Sequence, residues 1–122
     1  MLPSNSQIGS RGERAAVKWL RERGFVIVDL NWRSGRYEID IVAQRLGVTH
    51  FVEVKSRSVS GYTTPEEAIT PTKREAMIRA ARIYNAQHFV VDEVQFDLIA
   101  VEVGFDGELT VRYIENIVEF RW

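Results

Sequence analysis

Apolar and polar residues follow a helical period in some stretches of this chain and a strand period in others. From Gln7 to Arg23 apolar residues recur at helical spacing, and Gly24 is placed to end that helix. Three runs rich in Val, Ile and Phe follow, and their composition is typical of strands. The predicted strands are Phe25–Leu30, Glu38–Val42 and Phe51–Lys55, with Asn31–Arg36 as a polar connection between the first two.

The second half of the chain returns to a helical period and then to strands. Thr64–Glu67 has the form of a capping box with proline at the first helical position, which predicts a short helical turn. A longer helix is predicted from Thr70 and Pro71 to near Gln87, with a Thr72 and Glu75 pair as an alternative cap. Its apolar stripe consists of Met77, Ala80, Ala81 and Tyr84.

Two more strands complete the predicted order. They cover Val94–Val101 and Leu109–Ile114, and Asp106-Gly107 is a hairpin signal between them. Helix, three strands, helix and two strands predict a mixed α+β (α/β) fold, in which a central mixed five-stranded sheet is flanked by two long helices. We expect one domain over residues 1–122, and the apolar tail from Ile117 to Trp122 is expected to pack on the sheet or on a partner subunit.

Composition narrows the classes of protein that the chain can belong to. Its 122 residues are 45% apolar, which suffices for an ordinary core, and cysteine is absent, so disulfides, thiolate zinc sites and thiol nucleophiles are excluded. No apolar run approaches the roughly 20 residues of a membrane span, and the first residues lack the pattern of a signal peptide. We therefore expect a soluble, cytoplasmic protein.

Charge is distributed unevenly along the chain. Residues 1–91 hold 14 Lys and Arg against 9 Asp and Glu, a net charge of +5, whereas residues 92–122 hold 2 against 8, a net charge of −6. The asymmetry permits a basic face on the amino-terminal part, which is compatible with nucleic-acid binding.

Acidic side chains on the second and third strands predict a site. Glu53 and Lys55 lie two residues apart, so both project from one side of a strand, and a hairpin would bring Asp40 to them. Charges among apolar neighbours are costly unless they are compensated, and a divalent cation would compensate them. Glu13 belongs to the same picture because it lies on the apolar stripe of the first helix.

Two carboxylates suit Mg²⁺ or Mn²⁺, because such ions take oxygen ligands and keep positions for water and phosphate. Asp40 and Glu53 satisfy that count. Lys55 could orient the attacking water, deprotonate it, or balance the charge that develops at phosphorus. These residue types together indicate phosphodiester hydrolysis.

An acid on one strand followed by acid-x-Lys on the next resembles the PD-(D/E)xK nuclease superfamily, with Ile39 where its name has proline. Within that superfamily the chain is similar to the YraN-like family of small bacterial proteins, which is usually compared with archaeal Holliday-junction resolvases. The positions that carry the resemblance span nearly the whole chain: Gly12-Glu13, Ala16, Trp19-Leu20, Asn31-Trp32-Arg33, Glu38 to Ala43, Phe51 to Arg57, Lys73-Arg74 and Phe96-Asp97.

The resemblance implies a restriction-endonuclease-like core and a metal-dependent active site built from Glu13, Asp40, Glu53 and Lys55. It further implies DNA, including branched or junction DNA, as the substrate, and a homodimer is expected because resolvases cut as symmetric pairs. In the family, position 95 often carries a basic residue, whereas this chain has Gln95.

Several other polar residues are candidates for supporting roles. Phosphate contacts are proposed for Arg33, Arg36, Arg57, Lys73 and Arg74, each of which is also compatible with an ordinary surface charge or, for Lys73, a snorkelling side chain. Glu38 either assists the metal site or is an exposed edge charge. His50 and His88 have no partners at metal-ligand spacing and are interpreted as structural or surface residues, and Asp97 is expected to bond nearby backbone or a basic residue of the first helix.

The leading hypothesis is a metal-dependent endonuclease that hydrolyses DNA. The alternative is a nucleic-acid-binding module in DNA processing or repair that kept this core and lost or reduced its catalysis. A third hypothesis is a small structural partner of another protein, suggested by the apolar tail that ends at Trp122.

Overall fold

The structure is a computed structural model that describes residues 5–58, 64–90 and 92–118. Two long helices, one short 3₁₀ helix and five strands make up these residues. The long helices are α1 (Asn5–Glu22) and α2 (Pro71–His88), and the 3₁₀ turn covers Pro65–Ala68. The strands are β1 (Val26–Ser34), β2 (Tyr37–Arg45), β3 (Val48–Ser58), β4 (Glu93–Val103) and β5 (Leu109–Ile114).

The five strands form one sheet in the order β1-β2-β3-β4-β5. Antiparallel pairing joins β1 to β2, β2 to β3 and β4 to β5, whereas β3 and β4 run parallel because α2 carries the chain back between them. This is the predicted mixed α+β architecture with a central mixed five-stranded sheet and two flanking helices, consistent with a restriction-endonuclease-like fold.

The two long helices cover opposite faces of the sheet. Ala16 and Leu20 of α1 pack with Val52 and Ile99, and Phe25 closes this core. On the other face, the four buried residues of α2 pack on Val42, Phe51 and Phe96; they are the predicted stripe Met77, Ala80, Ala81 and Tyr84. Because successive side chains of a strand alternate between faces, one sheet supplies both cores.

Helix α2 begins and ends with local signals. The Thr70 side chain accepts a hydrogen bond from the Lys73 amide at 3.1 Å, Pro71 occupies the first turn, and Phe89 ends the helix in the left-handed conformation. Thr70 is therefore the cap rather than Thr72. The prediction of a capping box at Thr64 is wrong, because its side chain makes no capping hydrogen bond and the 3₁₀ turn relies on proline and backbone bonds.

The prediction of a polar connection at Asn31–Arg36 is also wrong. Strand β1 continues to Ser34, and only Gly35 and Arg36 form the turn to β2. Pairing with β2 holds the polar residues of this stretch in the strand, because hydrogen bonds to a neighbouring strand override their weak intrinsic preference.

Helix α1 approaches β3 closely at Gly12. A Cβ atom at Gly12 would overlap Ser56 Oγ and lie 2.9 Å from Ser56 Cβ. Real Cβ atoms essentially never come so close to another atom, so glycine is required here by contact and not by backbone conformation. This contact sets how closely the first turns of α1, including Glu13, lie against the sheet.

Replacement of Gly12 by alanine is expected to lower the free energy of unfolding by about 1–3 kcal/mol, measured by urea denaturation. Helix propensity alone would favour alanine by about 1 kcal/mol. A destabilising effect of Gly12→Ala would therefore show that the added methyl group clashes with Ser56. Ser56→Gly should remove most of the penalty in the double variant, and Ser10→Ala, an exposed position of the same helix, is the control. A stabilising effect of Gly12→Ala in the wild-type background would contradict the close approach.

After β5 the chain returns to the sheet. The Ile117 amide donates to the Phe96 carbonyl at 2.9 Å, and Val118 is buried in the core on the α2 side. The start of the predicted apolar tail therefore packs on the sheet, while residues 119–122 lie outside the described residues. Over the described ranges, neither long helix has the length and apolar character needed to cross a membrane.

Candidate active site

The candidate site lies where β2 and β3 separate. The two strands pair from Arg45 and Val48 up to Ile41 and Val52, and beyond that pair they diverge. Asp40 and Glu53 are the first residues past the fork, one on each strand. A fork of this kind leaves backbone groups without a partner on the neighbouring strand, which polar side chains can satisfy.

Asp40 fills part of the gap. Its Oδ2 accepts a hydrogen bond from the Val54 amide at 2.8 Å, so the side chain replaces the backbone pairing that the strands have lost. Regular alternation in β2 also fails here, since Ile39 and Val42 belong to the same core although they are three residues apart. Asp40 consequently lines a groove on the α1 side of the sheet together with Glu13.

The environment of Asp40 disfavours its negative charge. Burial and the nearby carboxylate of Glu53 raise the pKa of Asp40 to about 7, with smaller contributions from Glu13 and Glu38, and the Val54 amide only partly offsets them. Near neutral pH the Asp40 carboxyl therefore exchanges between its protonated and its charged form. A cation bound here would favour the charged form, because opposite charge compensates the cost of burial.

Glu53 projects toward the α2 side of the sheet. Val52 and Val54 pack in the core on the α1 side, so alternation directs Glu53 and Lys55 the other way. The Lys73 ammonium lies 3.1 Å from Glu53 Oε1, and the Glu53 side chain is only 11% exposed. Lys73 therefore supplies the positive charge at Glu53 here and would compete with any cation that binds there.

Glu13 is held by the edge of the sheet. Asn31 Nδ2 donates to Glu13 Oε2 at 3.4 Å, and Asn31 has a φ of 50°, the left-handed conformation that asparagine tolerates better than most residues. Asn31 stands opposite Asp40 in the β1–β2 ladder, between the pairs Leu30–Ile41 and Trp32–Ile39. This local distortion lets a strand residue reach the helix that carries Glu13, a role that nothing in the sequence pattern indicated.

Lys55 lies further along β3 and is exposed. It lines a cavity of about 390 Å³ with Arg57 of the same strand and with Thr64 and Glu67 near the 3₁₀ turn. The prediction that the hairpin brings Asp40 to the same face as Glu53 and Lys55 is therefore wrong. Asp40 and Glu13 share the groove on the α1 side, whereas Glu53 and Lys55 project from β3 toward the α2 side.

Asp40 and Glu53 are the residues of this site whose chemistry suits a divalent cation. Among the described residues, no three His, Cys, Asp or Glu side chains come together as a ready metal-binding group. The two carboxylates at the fork nevertheless have the donor chemistry that Mg²⁺ and Mn²⁺ use, and one or two protein carboxylates are usual for Mg²⁺. Glu13 raises the pKa of Asp40 and so lies within electrostatic range of this pair, which suits contact through water.

Four of the five residues predicted to contact phosphate have a partner side chain within the described residues. Arg33 forms an ion pair with Glu38 at 3.1 Å, and both side chains are exposed. Arg36 donates to the Tyr37 hydroxyl, Arg57 pairs with Glu102 at 3.3 Å, Lys73 pairs with Glu53, and Arg74 is an exposed residue of α2.

A second polar cluster lies in the core and centres on Asp97, which pairs with Val52 in the β3–β4 ladder. Its carboxylate accepts hydrogen bonds from the Tyr113 hydroxyl and from Gln95, and His50 Nδ1 lies 2.6 Å from Oδ2. The Asn116 amide completes the set at 3.1 Å. The expectation of a basic partner from α1 is therefore wrong, whereas the expectation of a backbone partner is confirmed.

The Asp97 cluster has a structural role. Burial alone would raise the pKa of Asp97, but the bonds from His50, Tyr113, Gln95 and the Asn116 amide together lower it. Burial and the bond to Asp97 raise the pKa of Tyr113, so its hydroxyl stays protonated as a donor. These bonds attach the segment after β5 to the middle of the sheet. His50 is buried in this cluster, and His88 is an exposed residue that stacks on Tyr84.

The fold and the fork define this chain as a mixed α/β protein with one carboxylate on each of two central strands where their pairing ends. Residues 12–101 match the sequence model of the uncharacterised protein family UPF0102, and the chain belongs to that family, which is the YraN-like family of the sequence analysis. A UPF0102 protein of Bacteroides thetaiotaomicron is 37% identical over 115 residues, with 94% of each chain covered.

Relatives from other bacterial groups are similar over the same length. A UPF0102 protein of Symbiobacterium thermophilum is 40% identical and covers 90% of this chain and 94% of its own. Another, from Chlorobaculum parvum, is 41% identical and covers 88% of this chain and 84% of its own. The names of these relatives state a family and no activity.

Proposed function

We propose that this protein is a metal-dependent endonuclease of the PD-(D/E)xK superfamily that hydrolyses DNA phosphodiester bonds, with a preference for branched or junction DNA. The observation that carries the proposal is the pair Asp40 and Glu53 at the fork, where burial and mutual repulsion raise the pKa of Asp40 to about 7. A carboxyl whose charge is disfavoured in this way is a candidate functional group, because a bound cation would remove the cost.

Each residue has a defined part in this proposal. Asp40 and Glu53 would hold Mg²⁺ or Mn²⁺, and the bound cation would supply charge stabilisation at the phosphoryl group and acidify water. Glu13 orients a water molecule from the α1 side. Lys55, exposed at the far side of the fork, orients the attacking water, accepts its proton, or stabilises the charge on phosphorus.

The alternative function, a DNA-binding module with reduced catalysis, is favoured by one contact. Lys73 lies 3.1 Å from Glu53 and neutralises it without a metal. A chain in which this ion pair were permanent would bind nucleic acid and leave it intact. The two functions therefore differ in whether a divalent cation displaces Lys73.

The test incubates the purified protein with four-way junction, flap and linear DNA in Mg²⁺, Mn²⁺ or EDTA. We expect cutting in either metal and none in EDTA. Lys55→Ala should lower the cleavage rate by about 10²–10³-fold while leaving DNA affinity within a few-fold, because this side chain acts mainly on the reacting groups. Arg112→Ala, which removes an exposed cation paired with Glu66, is the matched control.

The possible outcomes separate the hypotheses. Cutting that persists in EDTA, or that Lys55→Ala leaves unchanged, would contradict the assigned mechanism. Binding without cutting in every metal would support the module, and the absence of salt-dependent DNA binding would support a structural partner of another protein.

A further inference from the structure

A groove on the α1 side of the sheet leads directly to Asp40. It has a volume of about 430 Å³ and lies between α1 and the strands β1 and β2. Glu13 and Asp40 are at the end nearest the fork, and its apolar lining consists of Val17, Leu30 and Ile41. Leu30 is 45% exposed, so an aliphatic surface is open to solvent beside the carboxylates.

The helical side of this groove carries three cations and the two carboxylates Glu13 and Glu22, so its net charge is positive. Arg14, Lys18 and Arg21 all line it, and their spacing along α1 places them in one row. Arg14 and Arg21 are exposed and make no hydrogen bond or ion pair within the described ranges. The Lys18 side chain is 79% exposed and has only a long contact of 3.9 Å to Glu22.

Volume and chemistry together select the occupant. A groove of about 430 Å³ is at the small end of the range for ligand pockets. It is far too small to hold a DNA duplex, since the major groove of a duplex is by itself about 12 Å wide. An aliphatic floor suits the face of a base or a sugar, and a row of cations suits consecutive phosphates. A single unpaired nucleotide satisfies both requirements.

We infer that this groove binds the unpaired nucleotide next to the scissile phosphate, with the phosphates of that strand on Arg14, Lys18 and Arg21 and the nucleotide on Leu30 and Val17. The inference rests on the proposed nuclease function and names its substrate class: a strand that leaves a duplex beside the cut. Branched and flapped DNA present such a strand, whereas intact duplex does not.

The test compares Lys18→Gln/Arg21→Gln with wild type on two dye-labelled duplexes of the same sequence, one blunt and one with a single-stranded flap. Arg14 stays unchanged because it neighbours Glu13. Fluorescence anisotropy in Ca²⁺ should show a loss of about tenfold or more in affinity for the flap substrate and little change for the blunt duplex. The slope of log affinity against log salt should fall by about 1.4 on the flap substrate, about 0.7 for each lost contact to a single strand.

Arg79→Gln/Arg82→Gln is the matched control, because it removes the same charge from exposed positions of α2 on the opposite face of the sheet. We expect it to alter both substrates equally and weakly. Leu30→Ala addresses the floor: it should reduce the preference for flap over blunt DNA about three- to tenfold without changing the salt slope.

Equal losses on flap and blunt DNA, or equal effects of the two double variants, would overturn the groove assignment. That failure can be told apart from failure of the proposed function. If Lys18→Gln/Arg21→Gln still cuts flap DNA with wild-type kcat/KM, the nuclease stands and the groove inference falls; if wild type cuts nothing in any metal, the nuclease falls.

Discussion

Replacement of Asp40 by asparagine is expected to lower metal-dependent cleavage by at least about 10³-fold and to raise folding stability above pH 7. The activity falls because the proposed site loses one of two charged ligands for the cation. Stability rises because asparagine can still accept the Val54 amide through its side-chain oxygen while removing a charge that burial and Glu53 disfavour. A residue retained only for stability would not show these opposite effects.

The sign of the pH dependence follows from the proton balance. The pKa of Asp40 is about 7 in the folded chain and about 3.9 in the unfolded chain, so between these values the folded state binds more protons. Wild-type stability therefore carries a contribution from Asp40 that is present below about pH 4 and is lost as the pH rises through 7. The Asp40→Asn variant does not lose this stability, because asparagine does not ionise.

We expect the stability difference between Asp40→Asn and wild type to be near zero at pH 4 and roughly 2–4 kcal/mol above pH 7.5, measured by urea denaturation in EDTA. Glu38→Gln, an exposed carboxylate of the same strand, is the control and should change little at any pH. A destabilised Asp40→Asn at pH 8 would show that the carboxylate is stabilising and would remove the main support for the site.

Asp97→Ala is expected to cause the largest loss of stability, about 3–5 kcal/mol, enough to unfold a marginal domain. Asp97 is fully buried, and its removal would leave the Tyr113 hydroxyl, the His50 ring and the Asn116 amide without their acceptor inside the protein. The lost bonds also connect the segment after β5 to β4. Urea denaturation monitored by far-UV circular dichroism measures the change.

Asp92→Ala is the matched control. Asp92 is exposed, lies just before β4, and accepts hydrogen bonds from the side chains of Thr49 and Gln44. We expect it to cost less than about 1 kcal/mol. Tyr113→Phe, which removes one donor and keeps the ring, should cost an intermediate 1–2 kcal/mol. Equal losses for Asp97→Ala and Asp92→Ala would contradict a central role for the buried cluster.

The element order and both cores could be predicted from the sequence because they depend on periodicity. The stripe of α2 and the valine-rich strands carry strong patterns, and the hairpin at Asp106-Gly107 is a local turn signal. The errors fall where tertiary contacts decide. Asn31–Ser34 is polar and becomes strand only because β2 pairs with it, and Thr64 is not used as a cap although it has the right spacing.

The candidate site could be predicted in its residues and not in its arrangement. The spacing of Glu53 and Lys55 determines that both project from the same side of β3. No local sequence pattern indicates that the pairing of β2 and β3 ends at Ile41, and the end of that pairing is what separates Asp40 from Glu53 by a gap. Lys73 was assigned to phosphate from its helix position, and its contact with Glu53 depends on how α2 docks. Arg14, Lys18 and Arg21 were not predicted as a group, because their proposed role depends on the groove beside them.

The tight turn between β2 and β3 fixes the register of the two strands and so the position of the fork. Only Leu46 and Gly47 connect Arg45 to Val48, and both have positive φ, 52° and 76°. The number of residues from that turn to Asp40 and to Val54 determines that the carboxylate meets the amide. One residue inserted between the turn and Asp40 would shift the register of β2 against β3 and carry the Asp40 carboxylate out of reach of the Val54 amide. The length of the chain at this solvent-exposed turn therefore matters to the site as much as the acidic residues do.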